Sequence, residues 1–93
     1  MWVSIVEFSI DADRLDDVID LFRNTAVGRF DSEAHRGFRL LVDRANLRAL
    51  EVSYWDTSGA SARHAAGSGV GQGAVLGTLV VRTNHYELAI DAG

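Results

Sequence analysis

The chain carries three histidines, His35, His64 and His85, and no cysteine. Imidazole titrates near neutrality, so each histidine is a candidate for taking or giving a proton. His64, in "SGASARHAA", is the sharpest: over a sheet it could line a helix–sheet pocket and act on a phenolic substrate. The competing reading is a histidine at the helix surface or hydrogen-bonded in the core. Trp55, nine residues earlier, could stack on a flat aromatic ligand, or could serve as core packing or a dimer anchor. Tyr54 and Tyr86 could each orient a substrate oxygen, or fill structural roles on half-buried strands. Glu7 and Glu51 lie in strand-like runs, where carboxylates are uncommon. With Arg39, Ser53 and His85 they share odd numbers, but parity does not carry across turns. If they do share a face, they form either a polar pocket under helices or ion pairs at an interface. The second is favoured because buried carboxylates need a partner such as Arg39.

Other chemistries are weakly encoded. The histidine spacings match no i, i+4 pair, so no metal motif is spelled out, although a site assembled from His64, His85 and Glu7 stays open. No nucleophile elbow supports Ser-His-Asp catalysis. The stretch "AAGSGVGQGAVLG", 65–77, has no Lys-Ser/Thr after its glycines and no full GxGxxG. It follows a helix pattern and precedes a strand, the reverse of the order that aims a helix N-terminus at phosphate. It is therefore no phosphate cradle.

The elements that must position these residues follow from periodicity. "WVSIVEFSI", 2–10, is β-branched and aromatic and predicts a strand. Asp11-Ala12-Asp13 offers helix-capping carboxylates. Leu15, Val18, Ile19, Phe22 and Ala26 then repeat at the spacing of one helical face, over 13–27, with Gly28 as a terminator or Phe30 adding one more turn. "DSEAHRG", 31–37, is polar and reads as a loop or a frayed helix end. "FRLLVDR" from Phe38 and "ALEVSYW" from Ala49 form a hairpin across "ANLR", where Asn46 tolerates a left-handed backbone. Asp56, Thr57 or Ser58 caps a short helix over 58–66. The alternating glycines should end it near Ala66, because each interior glycine costs up to ~1 kcal/mol relative to Ala. A loop follows, with Val70, Val75 and Leu76 as its anchors. "TLVVRTNHYELAI", 78–90, is the last strand.

The order is βαββαβ, which predicts an α+β, ferredoxin-like domain spanning 1–93: a four-stranded antiparallel sheet with two helices on one face. "LVV" at 79–81 is apolar on both faces, and Val3, Ile5, Val6 and Phe8 mix parities. Two helices cover only one face. A second copy, sheet against sheet, is the economical cover for the other.

Composition narrows the partners. Net charge is −4 and all nine basic residues are arginines, scattered singly, so nucleic acid is not an expected partner. No apolar run approaches the ~18 residues of a membrane span, and Met1-Trp2-Val3-Ser4 lacks a basic leader, which predicts a cytoplasmic protein.

These residues resemble the antibiotic-biosynthesis monooxygenase (ABM) domains of the dimeric α/β-barrel superfamily. The likeness rests on Gly37-Phe38 opening the second strand, Trp55-Asp56 closing the third, and His64 nine residues after Trp55. It covers nearly the whole chain in element order. It implies a homodimer through the sheet face and, in cofactor-free members, oxidation of an anthrone or quinol by oxygen. Heme-degrading relatives use an Asn on strand one, a Trp on helix two and a heme-ligating His further along. Here those places hold Glu7, His64 and glycine-rich sequence, so no cofactor is expected. Two classes of function follow. One is a monooxygenase-like enzyme with His64 as proton acceptor and Trp55, Tyr54, Glu7 and Tyr86 around an aromatic ligand. The other is a non-catalytic ligand-binding or structural dimer on the same scaffold.

Overall fold

The computed structural model describes residues 1–29, 34–71, 73 and 77–93. The chain runs β1 (Trp2–Ile10), one 3₁₀ turn (Ala12–Arg14), α1 (Leu15–Arg29), β2 (His35–Asp43), β3 (Arg48–Trp55), α2 (Ser58–Gly67) and β4 (Thr78–Glu87). The strands form one antiparallel sheet in the order β2-β3-β1-β4. This is the ferredoxin-like arrangement that the element order predicts.

The pairing register sorts every strand residue onto a face. In β1, Ser4, Val6, Phe8 and Ile10 point toward the helices and are buried. Opposite them in β3 stand Ser53, Glu51 and Ala49. All three are buried. Val3, Ile5 and Glu7 face the other way, level with Tyr54, Val52 and Leu50. On the β4 side the register shifts between Glu7 and Phe8. This bulge changes parity along β4: Val80 stands opposite Phe8, whereas His85 stands opposite Ser4. Glu51, Ser53 and His85 therefore lie on the helix face, and Glu7 and Arg39 on the outer face. The common face considered for all five does not exist.

Two helices close the inner face. α1 lays Leu15, Val18 and Phe22 on Val6, Phe8, Ile10, Ala49 and Val80. Phe8 and Phe22 stack with ring centroids 5.7 Å apart. The helix runs through Gly28 to Arg29. One interior glycine costs only ~1 kcal/mol, less than the buried face of α1 contributes. Ala26, through its side chain, and Phe30 lie outside the described residues. Asp11 occupies the N-cap position of the 3₁₀ turn, but its side chain makes no capping bond.

α2 starts where Thr57 accepts the Ala60 N–H at 3.2 Å. It ends at Gly67, one residue past the expected stop, with the Ser68 N–H bonded to the Ala65 carbonyl. Beyond it, Gly71 adopts a φ of +86° and donates its N–H to the Val80 carbonyl at 2.7 Å. Val70 is exposed. Val75 and Leu76 lie outside the described residues.

Three local expectations differ from the structure. β2 begins at His35 rather than Phe38, because Gly37, at φ +116°, absorbs a register shift between them. In the hairpin turn the left-handed residue is Leu47, at φ +54°, and not Asn46. Asn46 instead bonds Asp43 through its backbone N–H and its side-chain amide. Leu47 packs against the core, which offsets its strained backbone. Finally, β4 ends at Glu87, and the Leu88 N–H bonds back to the Met1 carbonyl.

Candidate functional site

The inner face of the sheet divides along its length. Under α1 its buried residues are apolar. Under α2 it turns polar: Ser4, Glu51 and Ser53 are buried there, and so is Ser61 on α2 itself. Trp55 closes this end, buried against Ala60 with Trp2, Ala34 and Phe38 around it. Its indole N–H donates to Ser4 Oγ at 2.9 Å, which fixes the ring.

His64 sits on α2 above this patch. Its ring lies 5.3 Å from the Trp55 ring, tilted by 40°. Its Nε2 is 2.6 Å from Glu51 Oε1, a short contact between a partly exposed imidazole and a buried carboxyl. The His64 side chain is 18% exposed and that of Glu51 3%, so the imidazole is the member of the pair that solvent can reach. His35 also packs against the indole, 4.8 Å between centroids. Trp55 thus has two imidazoles, His35 and His64, beside its ring, and one of them meets a buried carboxyl.

Two hydroxyls in this patch, Ser53 Oγ and Ser61 Oγ, are buried without a hydrogen-bond partner among the described residues. Ser53 lies between Glu51 and Trp55 on the same face of β3, and Ser61 one turn before His64 on α2. An unsatisfied buried hydroxyl costs about 1–3 kcal/mol.

The start of β2 is fastened to this end. The Asp56 N–H bonds the Ala34 carbonyl, and Arg36 forms an ion pair with the Asp56 carboxylate. Hydrogen bonding to that guanidinium holds the Asp56 carboxyl below its usual range. A cleft of about 290 Å³ opens between α1 and β2, lined by Ile19, Phe22, Arg23, Phe38, Leu40 and Val42. Phe38, which lines it, also packs against the Trp55 cluster.

Of the residues singled out in the sequence, His64 and Trp55 come together here. Tyr54, Glu7 and Tyr86 do not: all three lie on the outer face. Tyr54 accepts a hydrogen bond from Arg39 at 2.8 Å, with that guanidinium also 5.4 Å from its ring centroid. Glu7 lies 4.0 Å from Arg82. Tyr86 is half exposed. His85 is at the β4 edge beside Trp2, 6.0 Å between ring centroids. Glu7 thus stands across the sheet from His64, and the metal site imagined from His64, His85 and Glu7 cannot form. Among the described residues no three His, Asp or Glu side chains gather to hold a metal. None of the described helices is long and apolar enough to cross a membrane.

Sequence reasoning missed Glu51 as the partner of His64. The signal was present. Within one strand parity does hold, so 51, 53 and 55 must share a face, and the spacing from Trp55 to His64 already tied that face to α2.

No family model matches the chain, and no curated protein matches it. Solved structures do. The heme-degrader MhuD from Mycobacterium tuberculosis, with two hemes bound in its active site, superposes with a TM-score of 0.75 at 20% identity over 100% of both chains. A point mutant of MhuD, with two manganese protoporphyrin IX bound per active site, gives 0.73 at 21% identity, covering 100% of this chain and 99% of that one. With its strand order, two helices on one face and full-length superposition, this chain has the ferredoxin-like fold of MhuD, the fold that its resemblance to ABM domains implies.

Proposed function

We propose that the chain is a small, cofactor-independent, monooxygenase-like protein that takes a flat, weakly acidic aromatic molecule of the anthrone or quinol type. The observation that carries this reading is His64: a partly exposed imidazole set against the Trp55 ring, with Glu51 behind it. Trp55 supplies a fixed wall for stacking, and Phe38 a floor.

The resemblance places a heme-ligating histidine further along helix two, and between Ala65 and Asn84 the sequence has no histidine at all. His64 stands where the resemblance places a tryptophan, with its Nε2 against Glu51. This reading therefore does not carry over what MhuD binds.

For an anthrone, the chemistry balances without any added group. His64 accepts a proton from the ring CH₂, leaving a delocalised carbanion. The carbanion passes one electron to O₂, and the radical pair recombines into a C–O bond. The resulting peroxide takes the proton back from the imidazolium and loses water, leaving a ketone. Oxygen is both the oxidant and the source of the inserted atom; its second atom leaves as water.

The test is oxygen uptake with a model anthrone. His64→Ala should slow it by about 100-fold, the usual scale for losing a positioned base. Equal rates would remove His64 from the reaction. Saturable quenching of tryptophan fluorescence without uptake would instead identify a non-catalytic ligand binder.

The assembly belongs to the same reading. The outer face presents Leu41 and Leu79, both about half exposed, with Tyr86 at its edge. A second copy placed sheet against sheet would cover them. Leu41→Asp should shift the protein from dimer to monomer in sedimentation velocity. A wild-type monomer at tens of micromolar would reject the dimer.

A further inference from the structure

We propose that Glu51 is a positioning residue that sets the tautomer of His64, so that Nδ1 is the atom that accepts the substrate proton. This rests on the reading of His64 as proton acceptor. With Glu51 as a carboxylate, which only accepts hydrogen bonds, the 2.6 Å contact with Nε2 places the proton on Nε2. In the neutral ring the basic lone pair is then on Nδ1. When Nδ1 takes a proton, the carboxylate stabilises the imidazolium without moving.

The surroundings argue that this pair is not there for stability. Glu51 is buried in β3 beside Ser53, and α2 sets Ser61 one turn before His64. Both hydroxyls are orphaned among the described residues. One strand residue along on the same face, at Ala49, the space is filled by tightly packed apolar groups. A helix–sheet contact selected only to hold α2 would carry apolar side chains at 51 and 53 of the sheet and 61 of the helix as well, since replacing buried ion pairs by hydrophobic residues is often neutral or stabilising. The polar patch is instead arranged around one imidazole. Trp55, held by Ser4, packs against that ring beside the carboxyl.

The experiment reads the tautomer directly, from ring ¹⁵N–¹H correlations of labelled protein at high pH, with His64 signals assigned by their loss in His64→Gln. The expected wild-type spectrum shows a single tautomer protonated at Nε2. A mixture of tautomers, or protonation at Nδ1, overturns the proposal. This holds whether or not any Glu51 variant folds. Glu51→Gln, which can donate as well as accept, should give mixed tautomers, and an unchanged tautomer would also overturn the proposal. In oxygen uptake with the model anthrone, Glu51→Gln should lower kcat by roughly tenfold or more with KM changed by less than about threefold, and Glu51→Asp should recover part of the loss. Wild-type kcat in Glu51→Gln would count against it. If the wild type consumes no oxygen, the monooxygenase reading fails while the tautomer spectrum still decides the role of Glu51.

Discussion

The two ends of the inner sheet face are built on the same strands and opposite principles. Under α1, Val6, Phe8, Ile10, Val18, Phe22 and Val80 form an unbroken apolar core. Under α2, a few residues along β1 and β3, the same face carries Ser4, Glu51 and Ser53, and α2 adds the buried Ser61. The first region is what a 93-residue chain needs in order to fold at all. The second costs stability, and the difference locates where the chain has given up packing for chemistry.

Mutations can sharpen or break that contrast. The largest effect should come from the apolar end. Phe22→Ala removes a wholly buried ring stacked on Phe8 and should destabilise by about 3–5 kcal/mol in urea unfolding. A loss below about 1 kcal/mol would mean that α1 contributes little to the core. Next comes the carboxyl–imidazole pair. His64→Ala takes the imidazole away from the buried Glu51 carboxyl and should cost roughly 3 kcal/mol, whereas the double change Glu51→Leu with His64→Leu should restore most of it. If the double variant is no more stable than His64→Ala, the polar end is structural after all.

Smaller effects probe the edges of the patch. Trp55→Phe keeps an aromatic ring but strands Ser4 Oγ, and should cost about 1 kcal/mol by the same measurement. Ser61→Ala should be neutral or slightly stabilising, because it removes a hydroxyl that has no partner among the described residues. The smallest effect is electrostatic. Asp56 and Asp43 are both held below their usual value of 3.8, by Arg36 and by Asn46 respectively. Each therefore contributes stability that is fully present above that value and is lost as pH falls through the depressed one. Asp56→Asn should flatten the acid limb of a stability–pH curve below about pH 4 and leave the curve's shape unchanged near pH 7. Both carboxylates are exposed, so salt should shrink the effect.

The elements were legible in the sequence because each carries one dominant period. β1 was found to the residue, and the apolar face of α1 was found through Leu15, Val18 and Phe22. Thr57 was among the named caps, and the glycines after Ala66 did stop α2. What failed was decided by geometry with no local signature. The bulge opposite Glu7 and Phe8 reverses parity along β4, so no counting of odd and even positions could tell that His85 shares a face with Ser4. Leu47 takes the left-handed conformation because the core wants its side chain, overriding the preference of Asn46. The candidate site was half legible: His64 and Trp55 were named from type and spacing. Tyr54, Glu7 and Tyr86 fell on the outer face because alternation along a strand separates neighbours such as Tyr54 and Trp55.

β1 lies at the centre of the sheet, hydrogen-bonded to β3 on one side and β4 on the other, and it passes Ser4 to one region and Phe8 to the other. Its amides should accordingly be among the slowest in the molecule to exchange with deuterated solvent. Opening either end requires breaking the same ladder, so the two regions cannot unfold independently. A molecule that binds only the folded form at the His64 end would then slow exchange at Phe8, which it never touches. Exchange at that strand would report occupancy before the bound molecule has been identified.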